Sequence, residues 1–285
     1  MADKRGCAWP LKLIKLWRLF AYMDFMWMTR DFGYFISCLI CEVIISAAGV
    51  TAVFLLAERF DGIGLWSKMQ VLFMLGYATT VNGILDMFFG FNVGVISRRV
   101  GRGQLDHTLI QPQPIWLTLL TEGFMPFSGS GVLICGVGLM CWATSRLGGI
   151  ATPGWICLLV IDLMASSTIA LALSFFWGSL AFWEPRAAEE ISTPVVGIVR
   201  TINTFPLDGL GFAASIGFMT VLPVGFVAWY PCRHLLGVGR TPLSGVLTII
   251  AAVIAVTLAA FVFRKGLRYY ATTGSQRYSG RGHRN

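Results

Sequence analysis

Acidic side chains inside apolar segments are the residues of this chain most able to do chemistry. Each of the first four long apolar segments carries a single acid, and a fifth, more polar segment carries an arginine; these residues are Glu42, Asp86, Glu122, Asp162 and Arg200. A charge at the centre of a bilayer costs about 2.5–3.5 kcal/mol on insertion scales, so such groups normally face a cavity or a bundle interior. Four acids suit a pathway for a cationic compound. They equally suit packing positions with protonated or hydrogen-bonded carboxyl groups, and the sequence leaves both interpretations open.

Signatures of covalent catalysis are absent from the sequence. It contains no G-x-x-x-x-G-K-[ST], H-E-x-x-H or G-x-S-x-G motif, which are the short patterns that position a phosphate, a zinc ion or a serine nucleophile. His107, His234 and His283 are scattered along the chain. Cys38 and Cys41 form a C-x-x-C within an apolar segment, without the second pair of ligands that a zinc site needs. We therefore predict no catalytic residue, no metal site and no enzyme activity.

The apolar character of the chain defines the elements that must hold these residues. Of its 285 residues, 56% are hydrophobic and 13% are charged, against about a quarter charged residues in soluble domains. Several apolar runs exceed the ~18 residues that mark a membrane-spanning helix. The predicted fold class is therefore all-α integral membrane. We attribute the net charge of +8 to basic residues at the cytoplasmic face, where they contact anionic membrane lipid, and not to nucleic acid.

Hydropathy divides the chain into an interfacial helix within residues 1–33 and a six-span transmembrane domain over 34–265. The basic residues of the N-terminal segment recur on one face of a helix, opposite apolar side chains, as in helices that lie in the membrane interface. Lys and Arg number 16 on one side of the spans and 5 on the other, which places both termini in the cytoplasm. Five of the spans are predicted at about 34–56, 69–95, 117–142, 155–182 and 244–263.

The position of the remaining span is ambiguous from hydropathy. Either 187–205 crosses the membrane and 209–230 forms a re-entrant or outer-leaflet hairpin, or 209–230 crosses and 187–205 stays on the cytoplasmic side. Hydropathy favours the second alternative, because Glu189, Glu190 and Arg200 are costly in lipid.

Small and aromatic residues mark helix contacts and span ends. Gly90-x-x-x-Gly94, and the run 128–131 that follows Pro126, predict close helix approach or a kink. Six tryptophans near the predicted span ends suggest an interfacial aromatic belt: Trp66, Trp116, Trp142, Trp155, Trp183 and Trp229.

The cytoplasmic loop 96–116 is the most informative segment of the sequence. It reads ISRRVGRGQLDHTLIQPQPIW, with a basic cluster, a helix-capable stretch from Gln104 to Ile110, and then Pro112 and Pro114. A short helix bounded by glycine and proline predicts a rigid projection into the cytoplasm. Asp106 is the candidate for a charged or capping role within it.

This loop resembles the G-E-L-D-x-x-L-L-R-P signature of a bacterial family of type-2 ATP-binding-cassette (ABC) permeases, some of them viologen exporters. Gln104 stands in place of the family's Glu, and Gln111 in place of its Arg. The residues that match in the loop are Gly103, Leu105, Asp106, Leu109 and Pro112. The similarity continues downstream at Phe182-Trp183, Phe205-Pro206-Leu207-Asp208, Leu222-Pro223, Tyr230-Pro231, Leu235-Leu236-Gly237 and Arg264-Lys265-Gly266-Leu267-Arg268-Tyr269-Tyr270.

The resemblance implies a multi-pass protein of the bacterial plasma (inner) membrane with six spans. Within it, 187–205 would be the fifth span, 206–237 an outer re-entrant helical hairpin, and 266–285 a cytoplasmic tail. The loop 96–116 would couple the chain to an ATPase, through the residues Gly103, Gln104, Leu105, Asp106, Leu109 and Pro112.

The activity that the resemblance implies is ATP-driven transport. Two permeases, copies of this chain or one copy and a relative, would form the path for export of a small amphiphilic or cationic compound. Two separate nucleotide-binding subunits would hold ATP and Mg, and this chain would bind no cofactor. An ATP-independent, ion-coupled carrier or channel is the alternative from the residues alone. A membrane-embedded enzyme acting on lipids is disfavoured by the scattered histidines.

Overall fold

A computed structural model describes residues 9–59, 61–94, 96–101, 104–111, 113–209, 217–220, 222–239 and 244–273. Over these ranges the chain is helical, without a β-strand. The principal helices are α1 (Trp9–Arg30), α2 (Phe32–Arg59), α3 (Lys68–Gly94), α4 (Ile96–Gly101), α5 (Gln104–Ile110), α6 (Ile115–Thr121), α7 (Gly131–Arg146), α8 (Pro153–Gly178), α9 (Pro185–Ile202), α10 (Trp229–Leu236) and α11 (Ser244–Thr273). Short 3₁₀ turns lie at Ser179–Phe182, Leu207–Gly209 and Pro223–Phe226.

Four helical stretches in the described part of the chain are long and apolar enough to cross a membrane. They are Phe32–Arg59, Lys68–Gly90, Pro153–Phe182 and Gly245–Thr273. Gly131–Arg146 is also apolar but shorter. A stretch of ~20 apolar residues is what a bilayer of ordinary thickness requires, so the chain is an all-helical multi-pass membrane protein.

The third predicted span, 117–142, consists of two helices, and its crossing of the membrane as one span stays a prediction. The helix is interrupted between α6 and α7 by residues 122–130, which we call the irregular segment. Pro126 in this segment has no N–H to donate to a helix. Gly123 approaches α3 so closely that an added Cβ would lie 2.3 Å from the carbonyl oxygen of Phe89. The segment therefore gives up helical hydrogen bonds in exchange for contact with α3.

α3 and α7 form the most extensive helix pair of the described structure, and they run antiparallel. Moving from Gly76 to Gly83 along α3 moves the contact from Met140 back to Leu133 along α7. Glycines of both helices face the partner's backbone so closely that an added Cβ would lie within 3.0 Å of it: Gly76, Gly83 and Gly136. The two helix axes are therefore held at a separation that admits no side chain at these positions.

α3 bends at its far end, where Gly90 adopts φ 30° and ψ −129°. This left-handed φ is open to glycine and strained for other residues. The bend lies against the irregular segment, and Met125 N donates to Met87 O over 2.8 Å. The sequence predicts either close helix approach or a kink at Gly90, and the structure shows a kink.

The helices α9 and α11 have bounds that differ from the predicted ones. α9 covers most of the fifth predicted span, 187–205, but its polar residues keep it out of the four apolar stretches; its crossing of the membrane stays a prediction. α11 continues to Thr273, so part of the predicted tail, 266–285, is helix. Hydropathy registers only the apolar part of that helix, while the helical backbone continues through its basic end. Residues 274–285 lie outside the described residues.

The bundle has two ends, which we name by their residues. The basal end consists of α4, α5, α6 and the last turns of α11, with a buried cluster that includes Ile96, Leu105 and Phe182. The apical end consists of residues 61–67, the turn Leu207–Gly209 and α10. A second, larger buried cluster fills the bundle and reaches the apical end.

Candidate functional site

A cavity of about 860 Å³ lies among α1, α2, α3, the irregular segment, α8 and α9, beside the bend of α3. This size is typical of small-molecule sites. Its wall is rich in aromatic rings: Phe20, Trp27, Tyr34, Phe89 and Phe124. Of the charged residues singled out from the sequence, the cavity brings four together: Glu42, Asp86, Glu122 and Arg200.

Two of these acids are paired with arginines. The Asp86 carboxylate lies 2.8 Å from the Arg200 guanidinium, which joins α3 to α9. The Glu122 carboxylate lies 2.6 Å from the guanidinium of Arg99, which joins the irregular segment to α4. Both pairs are partly exposed, with each side chain 19–38% accessible. The sequence showed these acids as unbalanced charges, whereas in the fold each has a partner.

Glu42 differs from the other acids of the cavity. Its Oε2 atom is buried and has no hydrogen-bond partner among the described residues. An added Cβ on Gly131 would lie 2.8 Å from that oxygen, so the glycine leaves the space that the carboxyl group occupies. A buried oxygen without a partner costs free energy. Glu42 thus lines the cavity with a carboxyl group whose Oε2 has no partner among the described residues.

Asp24 is a cavity residue that the sequence did not indicate. It lies on α1, is 8% exposed, and accepts hydrogen bonds from the irregular segment. The donors are Phe127 N at 2.8 Å, Ser128 N at 3.1 Å and Ser128 Oγ at 2.6 Å. The sequence signal that could have indicated Asp24 is that it is the acidic residue of α1, whose other charged residues are basic. Through these bonds α1 and the irregular segment form one wall of the cavity.

Asp162 is separate from this group. It is 2% exposed within α8 and does not line the cavity. One turn further along α8, the Ser166 hydroxyl hydrogen-bonds the Tyr77 hydroxyl over 2.8 Å. The structure therefore groups Asp162 with a buried polar region of the bundle and not with the other four residues.

The short helix expected at Gln104–Ile110 is present as α5, at the basal end. Leu105 is fully buried, while Leu109 and Ile110 are 41% and 81% exposed. Asp106 accepts a hydrogen bond of 2.6 Å from the hydroxyl of Tyr270, near the end of α11. Gln104 faces solvent. Gly103 and Pro112, also expected to take part in coupling, lie outside the described residues.

A polar clamp centred on Asp208 holds the apical end together. Its carboxylate accepts from the indole N–H of Trp66 at 2.5 Å and of Trp229 at 2.7 Å, and it lies 3.3 Å from Arg233. The Arg233 guanidinium also lies 4.8 Å from the centre of a Trp229 ring. Trp66 and Trp229 are 2% and 7% exposed. The prediction that they belong to an interfacial belt is wrong, because both are buried and bonded to Asp208.

Comparison with known proteins identifies a related family. A family model described as an ABC-2 family transporter protein matches residues 43–274, which is most of the chain. No curated protein and no solved structure matches it.

Proposed function

Because the chain belongs to the ABC-2 transporter family and is the membrane component of an ABC transporter, we propose that its cavity binds a small amphiphilic cation for ATP-driven export. The observation that carries this proposal is the gathering of aromatic rings and of Glu42, a half-buried acid whose Oε2 has no described partner, around one space of about 860 Å³. Aromatic faces attract organic cations, most strongly where water is excluded. A carboxylate without a protein partner supplies the counter-charge.

The paired acids limit the charge of the compound. Asp86 and Glu122 are each balanced by an arginine, and Asp24 is engaged by backbone and hydroxyl donors. Glu42 is left to balance a bound charge. A single positive charge is therefore the best match for one permease, and a compound with two charges would need a second binding site of the same kind.

The location of the cavity supports export as the direction of transport. It adjoins α1, the interfacial helix, and the ion pair with Arg99 of α4, so it is close to the basal end. The distribution of Lys and Arg favours the cytoplasmic side for that end. A compound would enter from the cytoplasmic leaflet and leave past the apical end, which is export.

The proposed assembly contains two permeases and two nucleotide-binding subunits. ATP and Mg belong to those subunits, which dock on α5. The exposed Leu109 and Ile110 give α5 an outward apolar edge for such a contact. α2 carries strongly exposed apolar residues such as Ile44 and Ile45, which face lipid or the second permease, a copy of this chain or a relative. The surrounding membrane is the bacterial plasma membrane.

The test uses the complex of this chain with its co-purified ATPase in proteoliposomes. Glu42→Gln should raise the half-saturating concentration of a monovalent cation such as ethidium about ten-fold, the effect of losing ~1.4 kcal/mol of binding free energy. Transport of a neutral amphiphile should change less than two-fold, within ~0.4 kcal/mol. Asp162→Asn is the matched control, because it alters an intramembrane acid outside the cavity.

Two results would contradict the proposal. If Glu42→Gln changed transport of the cation and of the neutral compound equally, as expected for Asp162→Asn, Glu42 would be a packing residue. Transport that follows an ion gradient and persists without the ATPase would replace the permease assignment with the ion-coupled carrier.

A further inference from the structure

α11 is a single helix that connects the two ends of the bundle. It runs without interruption for 30 residues, a length of about 45 Å at 1.5 Å per residue. Such a length exceeds the hydrocarbon core of a bilayer, which is ~30 Å thick. A continuous helix of this kind moves as a rigid body, so a displacement at one end is felt at the other.

At the basal end α11 is fastened to α5. The Tyr270 hydroxyl donates to Asp106 over 2.6 Å, and Tyr270 is 1% exposed. Its ring packs 6.0 Å from that of Phe182, which in turn lies 5.4 Å from the ring of Phe263 on α11. At Gly266 an added Cβ would lie 2.6 Å from the Phe182 ring, so α11 and the turn after α8 are in close contact. The hydrogen bond to Asp106 extends this packed cluster to α5.

At the apical end α11 is in contact with α10. An added Cβ on Gly245 would lie 2.9 Å from Nε2 of His234, so the imidazole rests on the backbone of the first turn of α11. The neighbouring residue Arg233 reaches Asp208 and also donates from Nε to Val238 O at 3.1 Å. A shift of α11 along its axis would therefore act on α10 next to the Asp208 clamp.

We propose that Tyr270 is the positioning residue that fastens α5 to α11, and that α11 transmits movement of α5 to α10 and the apical clamp. This proposal rests on the proposed function, in which an ATPase moves α5. When α5 shifts, the bond to Asp106 draws the basal end of α11 with it. The contact between Gly245 and His234 then displaces α10, which loosens the Asp208 clamp and opens the apical exit.

The experiment compares single substitutions in the reconstituted complex of permease and ATPase. Tyr270→Phe removes the donor and keeps the ring against Phe182. Tyr269→Phe is the matched control, because its ring stacks on Trp183 and its hydroxyl has no hydrogen-bond partner among the described residues. Asp106→Ala removes the acceptor, whereas Asp106→Asn keeps an oxygen that accepts from Tyr270.

Two quantities are measured: ethidium transported per ATP hydrolysed, and amide hydrogen exchange of α10 with and without ATP plus vanadate. Tyr270→Phe and Asp106→Ala should lower the transport ratio about ten-fold, within the usual range of coupling free energies. Both should abolish the ATP-dependent change in α10 exchange. Tyr269→Phe should keep the ratio and the exchange response of the unaltered chain, and Asp106→Asn should retain more of both than Asp106→Ala.

The outcomes separate this inference from the proposed function. A transport ratio for Tyr270→Phe near that of the unaltered chain would overturn the role of Tyr270. If Tyr270→Phe fails to assemble, the comparison of Asp106→Ala with Asp106→Asn decides, and equal behaviour of those two overturns it. Normal transport by the unaltered chain with no exchange response in α10 would overturn the α11 route alone. An unaltered complex without ATP-driven transport would overturn the proposed function and this inference together.

Discussion

Gly136 offers a quantitative test of the packing between α3 and α7. In Gly136→Ala the new Cβ would lie 2.4 Å from Thr80 N and 2.7 Å from Thr79 C. These are backbone atoms of a packed helix, so the contact is relieved only if the helices separate by about 1 Å. Overpacking of this kind costs ~1–3 kcal/mol. Gly138→Ala, two residues further along α7, meets nothing within 4 Å and provides the control.

The control is needed because alanine also favours the helix. Replacing an interior glycine by alanine stabilises a helix by roughly 1 kcal/mol, and this gain is common to Gly136→Ala and Gly138→Ala. The difference between the two variants therefore isolates the overpacking cost. At ~2–4 °C per kcal/mol for a chain of this size class, Gly136→Ala should melt ~2–12 °C below Gly138→Ala.

The assay is thermal unfolding of the purified chain in detergent, followed by tryptophan fluorescence. A second variant, Gly83→Ala, probes the same helix pair from α3, where the new Cβ would lie 2.4 Å from Leu133 Cα. Once the first substitution has separated the helices, the added Cβ of the second substitution clashes less with the backbone of the partner helix. The double variant should therefore lose less stability than the sum of the single losses. Equal melting temperatures for Gly136→Ala and Gly138→Ala would refute the close approach of α3 and α7.

Two further predictions concern the apical end and the orientation of the chain. Asp208→Ala leaves two buried indole N–H groups and Arg233 without their acceptor, so it should cost about 3 kcal/mol and speed amide exchange in α10. Asp61→Asn, at a 93% exposed carboxylate whose left-handed φ of 56° asparagine tolerates, should do neither, and unchanged exchange in the Asp208 variant would rule out the clamp. With the seven native cysteines replaced by serine, Leu65→Cys should react with an impermeant maleimide on intact cells, and Ile110→Cys only after permeabilisation. The reverse pattern would place the basal end outside.

The sequence predicts those parts of the fold that depend on local signals. The apolar runs coincide with α2, α3, α8 and α11, because a membrane helix must carry its own apolar length. The bounds of α5 follow from glycine before it and prolines after it. The end of α11 is missed because its last turns are basic, and hydropathy does not register a helix that leaves the lipid.

Contacts between distant segments account for what the sequence could not show. Asp24 and Ser128 are 104 residues apart, and no spacing rule links a residue of α1 to the irregular segment. The arginine partners of Asp86 and Glu122 lie on α9 and α4, so the acids read as unpaired until the helices are placed. A G-x-x-x-G pattern does not detect the glycines of α3 and α7, because some of the close contacts are made by glycines of α3 and others by a glycine of α7.

The break within the third predicted span has a physical cause to which hydropathy is blind. A run of apolar residues over 117–142 meets the length criterion for a membrane helix, and hydropathy gives no weight to hydrogen bonds. The fold can interrupt that helix because other groups satisfy the freed backbone: Asp24 accepts from two of its N–H groups, and Met87 accepts from a third. Within lipid, irregular backbone persists only where protein supplies such partners.

The bond between Asp24 and Ser128 also orders events during synthesis. α1 leaves the ribosome 104 residues before its partner does, which at ~5–20 residues per second is about 5–20 s. During that interval the Asp24 carboxylate lacks the donors that it has in the fold, while α2 and α3 are synthesised. The cavity wall can close only when the irregular segment arrives and its backbone N–H groups exchange their earlier partners for Asp24. That wall is therefore completed when the middle of the chain returns to its beginning, and a nascent chain stalled before Ser128 has every cavity residue of α1, α2 and α3 but lacks the bonds that join this wall.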